Sequence, residues 1–213
     1  MREPMNKALH HARSEAPIEL RNVCKAYDGV PVLHGVTLSL RPGAPVCVTG
    51  RSGIGKTTLL RLMLGLDVPD SGTVSVPEGT RFAAVFQENR LIPHLSAADN
   101  VRFVCPKSSM PDDDALAEAF AAVGLTRQEM EKCVSGLSGG QQRRTALLRA
   151  LLAPADAVLL DEPFTGLDAE ARRAAAAYIR KMCLGRVLLC ITHEAGDAEL
   201  LGAQMFALTD TCC

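Results

Sequence analysis

The chemistry in this sequence is most concentrated at Gly50-Arg51-Ser52-Gly53-Ile54-Gly55-Lys56-Thr57, which matches G-x-x-x-x-G-K-[ST]. Glycines let the backbone curl until successive N–H groups point at phosphate oxygens. A helix that begins where the loop ends adds its N-terminal dipole. Lys56 supplies a point charge for the β- and γ-phosphates of a nucleotide, and the Thr57 hydroxyl is a ligand for Mg²⁺. At average residue usage the four fixed positions coincide by accident in roughly one chain in a hundred of this length. A second chemical mark lies about a hundred residues on. LLDE (159–162) is an apolar run that ends in acid. Asp161, at the C-terminal end of such a strand, would hold Mg²⁺ directly or through water. Glu162 would act as general base on an attacking water. Alone, LLDE would read as a strand ending in a solvated turn. Behind a phosphate loop the catalytic reading prevails.

Elements must hold these groups in place. IELRNVCKAY (18–27) alternates apolar and polar residues as a half-buried strand does. Asp28-Gly29 is a hairpin turn, and VTLSL (36–40) reads as the next strand. PVCVT (45–49) is a short apolar strand that feeds the phosphate loop and the amphipathic helix after it. SGTVSV (71–76) and RFAAVF (81–86) are further strands. From 88 to 136 the strand signal fades into helix-forming stretches such as AADNVRF and ALAEAFAAVG. AVLLD (157–161) and VLLCIT (187–192) are fully apolar, as strands buried on both faces are. AEARRAAAAYIRKM and EAGDAELLG are helices, and MFAL (205–208) is a last edge strand. Strands alternating with helices predict an α/β fold with a mainly parallel sheet, preceded by an antiparallel β part.

LSGGQQRRTALLRALLA (137–153) poses a separate question. It is a helix bearing Arg143, Arg144 and Arg149, and a basic helix can grip nucleic acid. Yet it opens with Ser138, Gly139 and Gly140, residues suited to caps and loops. The whole chain has 23 Lys and Arg against 24 Asp and Glu, which argues against a dedicated nucleic-acid binder.

Taken together, these motifs resemble the ATP-binding cassette ATPases over residues 18–208. The phosphate loop matches the family's Walker A and 157–162 its Walker B. Tyr27 stands where the family's aromatic stacks on adenine. Gln87, after Val85-Phe86, matches the Q-loop. LSGGQ is the family signature, Gly166-Leu167-Asp168 matches the D-loop, and His193 matches the switch histidine. The resemblance implies a P-loop NTPase core with a helical subdomain inserted at about 88–153, inside an ATPase domain of residues 18–213 that follows a flexible lead-in, 1–17. It assigns nucleotide binding to Tyr27, Gly50, Arg51, Ser52, Gly53, Ile54, Gly55, Lys56, Thr57 and Thr58. Catalysis falls to Glu162, His193, Gln87 and Lys56, and Mg²⁺ to Thr57, Gln87 and Asp161. In the family two cassettes close head to tail around two ATPs. Ser138, Gly139, Gly140 and Gln141 of one copy would then face the γ-phosphate held by the other, and the loop-like start becomes an anion site. The arginines are then expected on a solvated or ion-paired face. The sequence departs from the family where Arg143 replaces a usual glutamine and where the usual proline before the signature is missing. The last predicted strand lies close to residue 213, so the regulatory domain of many importer ATPases is not expected.

The resemblance further implies membrane permease subunits, with a substrate-binding protein as a further partner and no nucleic acid. A permease helix would sit in a groove lined by VFQENRLIPHLSAADNV (85–101), a stretch most like the nitrate/sulfonate/taurine importer branch. Lipoprotein- and macrolide-type exporters share its Leu-x-Pro and Asn-Val pattern, so an exporter ATPase is the first alternative. A cassette of DNA repair or translation is the second, although the insertions and doubled cassettes typical of those are absent. No apolar run reaches the roughly 20 residues of a membrane helix, and the N-terminus is polar. The expected place is therefore the cytoplasm, peripheral on the inner face of the cell membrane. The eight cysteines are scattered with no C-x-x-C pair, and reduced structural thiols are expected. Cys212 and Cys213 are the best placed to react, and His10 and His11 lack a metal-ligand cluster.

Overall fold

The computed structural model describes residues 16–209. His10, His11, Cys212 and Cys213, and the lead-in through residue 15, lie outside the described residues. The chain opens with a hairpin of β1 (Ile18–Tyr27) and β2 (Val30–Leu40). Asp28 and Gly29 both take positive φ, 50° and 78°, which is the twist a two-residue hairpin needs. Tyr27 therefore pairs with Val30 at once, and β2 begins six residues before the predicted Val36. β1 also pairs with β4 (Ser71–Ser75), giving a three-stranded antiparallel sheet in the order β2-β1-β4.

The second sheet is parallel throughout, in the order β5-β6-β7-β3-β8. Its strands are β3 (Val46–Thr49), β5 (Phe82–Val85), β6 (Ala157–Asp161), β7 (Val187–Ile191) and β8 (Gln204–Ala207), with β8 at the edge as expected. Every residue of β6 and β7 is buried, and alternation divides their side chains between two cores. Leu159, Leu189 and Ile191 pack with the antiparallel sheet and α1 (Lys56–Met63). Val158, Leu160 and Leu188 pack with the helices on the other face.

Between β5 and β6 the regular elements are helical: α2 (Ala97–Arg102), α3 (Asp113–Ala122), α4 (Arg127–Glu131) and α5 (Gly139–Leu152). The α-helices here start on a side-chain cap, at Ser96, Asp112, Thr126 and Ser138. The loop-like start of the LSGGQ helix has a local cause. Ser138 and Gln141 form a reciprocal capping box, with Gln141 Oε1 accepting from the Ser138 N–H at 2.8 Å. α6 (Ala169–Met182) and α7 (Ala195–Leu201) complete the fold, and Asp168 caps α6.

The arginines of α5 do not form the solvated face expected of them. Arg143 is 5% exposed and turned into the protein, onto backbone carbonyls. Arg149 donates to the carbonyls of Arg90 and Asn89. Arg144 is half-buried, and its Nε is buried without a hydrogen-bond partner. The cysteines within the described residues are all free thiols. No helix among those residues is long and apolar enough to cross a membrane.

Candidate functional site

The phosphate loop connects β3 to α1, and its shape depends on glycine at its last turn. Gly55 has φ +104°, and a Cβ there would lie 2.7 Å from Leu33 Cδ2 and 2.9 Å from the Val32 carbonyl. The loop is thereby pressed against β2. Lys56, only 7% exposed, folds back over the loop and donates to the carbonyls of Gly50 at 2.8 Å and Arg51 at 2.9 Å. Burial lowers its pKa, while Glu162 and then Asp161 pull it back up.

The acids arrive from β6. Asp161 is 3% exposed, and its Oδ2 accepts a 3.0 Å hydrogen bond from the Thr57 hydroxyl. Burial pushes its carboxyl above the ordinary range, and the Thr57 bond, Arg143 and Lys56 act against that push. Glu162 follows with φ +51°, the left-handed region, at a cost of about 1–2 kcal/mol for a side chain of this kind. Its N–H donates to the Ile191 carbonyl at 2.9 Å. Its Oε1 lies 2.6 Å from His193 Nε2, just beyond β7.

The His193 turn is itself held. The Thr192 hydroxyl donates to Asp197 of α7 and accepts from the Glu194 N–H at 3.1 Å. Arg172 of α6 donates to Glu194 at 2.6 Å. Tyr27 is 40% exposed, and its hydroxyl donates to Asp67.

One cleft of about 360 Å³ collects these groups. Tyr27, Ser52, Gly53, Gly55, Lys56, Thr57, Thr58, Gln87, Asp161, Glu162 and His193 all line it. Among the other expected residues, Gly50 and Arg51 serve through the carbonyls that hold Lys56. Ile54 is packed in the core beside α1. Ser138, Gly139, Gly140 and Gln141 do not line the cleft; they stand at the start of α5, the first two exposed and the other two half-buried. Sequence reasoning missed Val32, which lines the cleft because β2 starts early. The two-residue turn at Asp28-Gly29 was the available signal. It also missed Asp67 under Tyr27 and the support of the His193 turn, which no local pattern announces.

Among the described residues, no group of three or more His, Cys, Asp or Glu could hold a metal alone. The paired oxygens of Thr57 and Asp161 suit a hard cation that takes its remaining ligands from phosphate and water, as Mg²⁺ does.

A family model described as "ABC transporter" matches residues 33–165. An aliphatic sulfonates import ATP-binding protein of Pseudomonas syringae pv. syringae is 40% identical over 201 residues, covering 92% of this chain and 70% of that protein. The aliphatic sulfonates import ATP-binding protein of Cupriavidus necator is 37% identical over 205 residues, covering 91% of this chain and 66% of its own length. A Fe(3+) ions import ATP-binding protein of Rhizobium meliloti is 34% identical over 207 residues. This chain spans 58% of that last protein's length. Among solved structures, the dimeric post-hydrolysis state of the ATP-binding cassette MJ0796 bound to ADP and Pi has a TM-score of 0.79 at 26% identity. The match covers 91% of this chain and 94% of that one.

Proposed function

This chain belongs to the ABC transporter ATP-binding family, and from that premise we propose that it is the ATP-hydrolysing subunit of an importer. The carrying observation is the cleft itself. Five segments distant in sequence bring Lys56 and Thr57, Gln87, Asp161 with Glu162, His193 and Tyr27 around one space.

The loop amides and Lys56 would bind the triphosphate, with the Tyr27 ring against the base. Thr57, Asp161 and Gln87 would hold Mg²⁺, which when bound neutralises charge on the phosphates. Glu162 takes the proton from the attacking water, and His193, 2.6 Å from that carboxylate, orients it. A second copy, head to tail, presents its Ser138, Gly139, Gly140 and Gln141 to the same nucleotide. Closure of the pair would move permease subunits seated near residues 85–101, with the chain peripheral on the inner face of the membrane. Organic sulfonates are the substrate class we favour. The 40% identical relative carries that name, against 34% for the iron relative, and the 85–101 stretch points to the same branch. A separate substrate-binding protein would deliver the cargo.

The test is phosphate release by the full chain and by Glu162→Gln. Loss of the base should lower kcat roughly 10²–10⁴-fold, with binding of a fluorescent ATP analogue retained. Unchanged hydrolysis in Glu162→Gln would remove Glu162 from the reaction. For the transport role, the tagged chain is extracted from native membranes in mild detergent. Co-purification of a multi-spanning protein supports it, and ribosomes or nucleic acid with no membrane protein would replace it with a soluble cassette role.

A further inference from the structure

Arg143 is a buried cation on the LSGGQ helix, five residues after Ser138. Its Nε and Nη2 donate to the Glu162 carbonyl at 3.2 and 2.8 Å, and Nη2 also donates to the Asp161 carbonyl. Its Nη1 donates to the Phe86 carbonyl, to the Gln87 carbonyl at 3.4 Å and to Asn89 Oδ1 at 3.2 Å. One side chain of α5 thus ties together the end of β6 and the Gln87 loop after β5. Each acceptor is a neutral oxygen, and four of the five belong to the backbone. Burying a guanidinium is costly, and only a full set of directed acceptors makes it tolerable. The planar fork meets that demand, and a lysine ammonium with three donors cannot.

What the fork holds is unusual backbone. Glu162 sits in the left-handed region, with its N–H fixed by Ile191 and its carbonyl fixed by Arg143. We infer that Arg143 is a positioning residue that makes the start of α5, the Gln87 loop and the Asp161-Glu162 step move as one body, aiming the Glu162 carboxylate. This rests on the reading of Glu162 as the base.

The test uses the full chain carrying Arg143→Met, which keeps bulk and loses every donor, and Arg143→Lys, which keeps charge and loses the fork. For each, kcat and KM for MgATP, the Kd of a fluorescent ATP analogue and Tm are measured beside wild type and Glu162→Gln. Arg143→Met is expected to lose at least tenfold in kcat with the analogue's Kd within threefold. Arg143→Lys should recover only part of that loss. A kcat within twofold of wild type in Arg143→Met overturns the inference. So does a parallel fall of kcat, nucleotide affinity and Tm, the mark of a general packing role. If Arg143→Met does not fold, Arg143→Lys decides, and wild-type kcat there overturns it. An active wild type that Glu162→Gln does not slow defeats the Glu162 reading instead. An inactive Glu162→Gln beside an unaffected Arg143→Met defeats only this inference.

Discussion

Asp161 illustrates, at the level of one residue, what its proposed place beside Mg²⁺ costs the fold. Its carboxyl is held above the ordinary value of 3.8 mainly by burial. The folded chain therefore holds this proton more tightly than the unfolded chain does. Below the unfolded value both states are protonated and there is no penalty. As pH rises through the higher folded value, an ionised carboxylate is left in a site that disfavours it, and stability falls. Asp161→Asn should remove that penalty and still accept the Thr57 hydrogen bond. At pH 7 without nucleotide or Mg²⁺, its Tm should exceed that of wild type, while Mg²⁺-dependent hydrolysis is lost. A lower Tm in scanning fluorimetry would mean that the ionised carboxylate is stabilised where it lies.

At the scale of elements, two glycines separate folding from nucleotide binding. Gly72 has φ +80°, and a Cβ there would meet the Asn22 carbonyl at 2.2 Å and the Arg21 carbonyl at 2.5 Å, both rigid backbone. That close approach coincides with the register shift between Arg21 and Cys24 where β1 meets β4. Gly72→Ala should cost roughly 1–3 kcal/mol or more in denaturant unfolding and leave the affinity of folded protein for an ATP analogue unchanged. Gly55→Ala should lose both, because the methyl group strikes β2 from within the phosphate loop. Equal effects on nucleotide affinity would show that the junction of β1 with β4 also shapes the cleft, which Tyr27 of β1 and Val32 of β2 line.

The same elements show what can be read along a chain. β3, β6 and β7 were legible as apolar runs, and the phosphate loop and the LLDE acids as short motifs, because each signal lies within a few residues. The bulge in β1 was not, since it depends on which strands become neighbours. Nor was the burial of Arg143. Its acceptors lie 57 and 18 residues away, and arginine along a helix otherwise signals a wet face. The departure from glutamine at that position was visible, but only the packing of α5 against β5 and β6 shows its consequence.

The start of α5 raises the question of whether one chain is the whole machine. Within this chain nothing demands glycine at 139. It lies outside the left-handed region, it is exposed, and a Cβ there would meet no atom within 4 Å. The capping box between Ser138 and Gln141 does not involve it. Alanine should therefore be neutral or stabilising by up to about 1 kcal/mol in an isolated chain. In the proposed head-to-tail pair, the same methyl group would stand between the helix start and the other copy's γ-phosphate. Gly139→Ala should then keep or raise Tm and keep binding of an ATP analogue at the Lys56 site. It should also reduce hydrolysis at least tenfold and abolish the ATP-dependent dimer trapped in a Glu162→Gln background, read by light scattering after gel filtration. Full hydrolysis and an intact dimer would mean that the glycine has no partner to meet. The LSGGQ turn would then be a helix cap and nothing more, and the pair would have to close over the nucleotide through other residues.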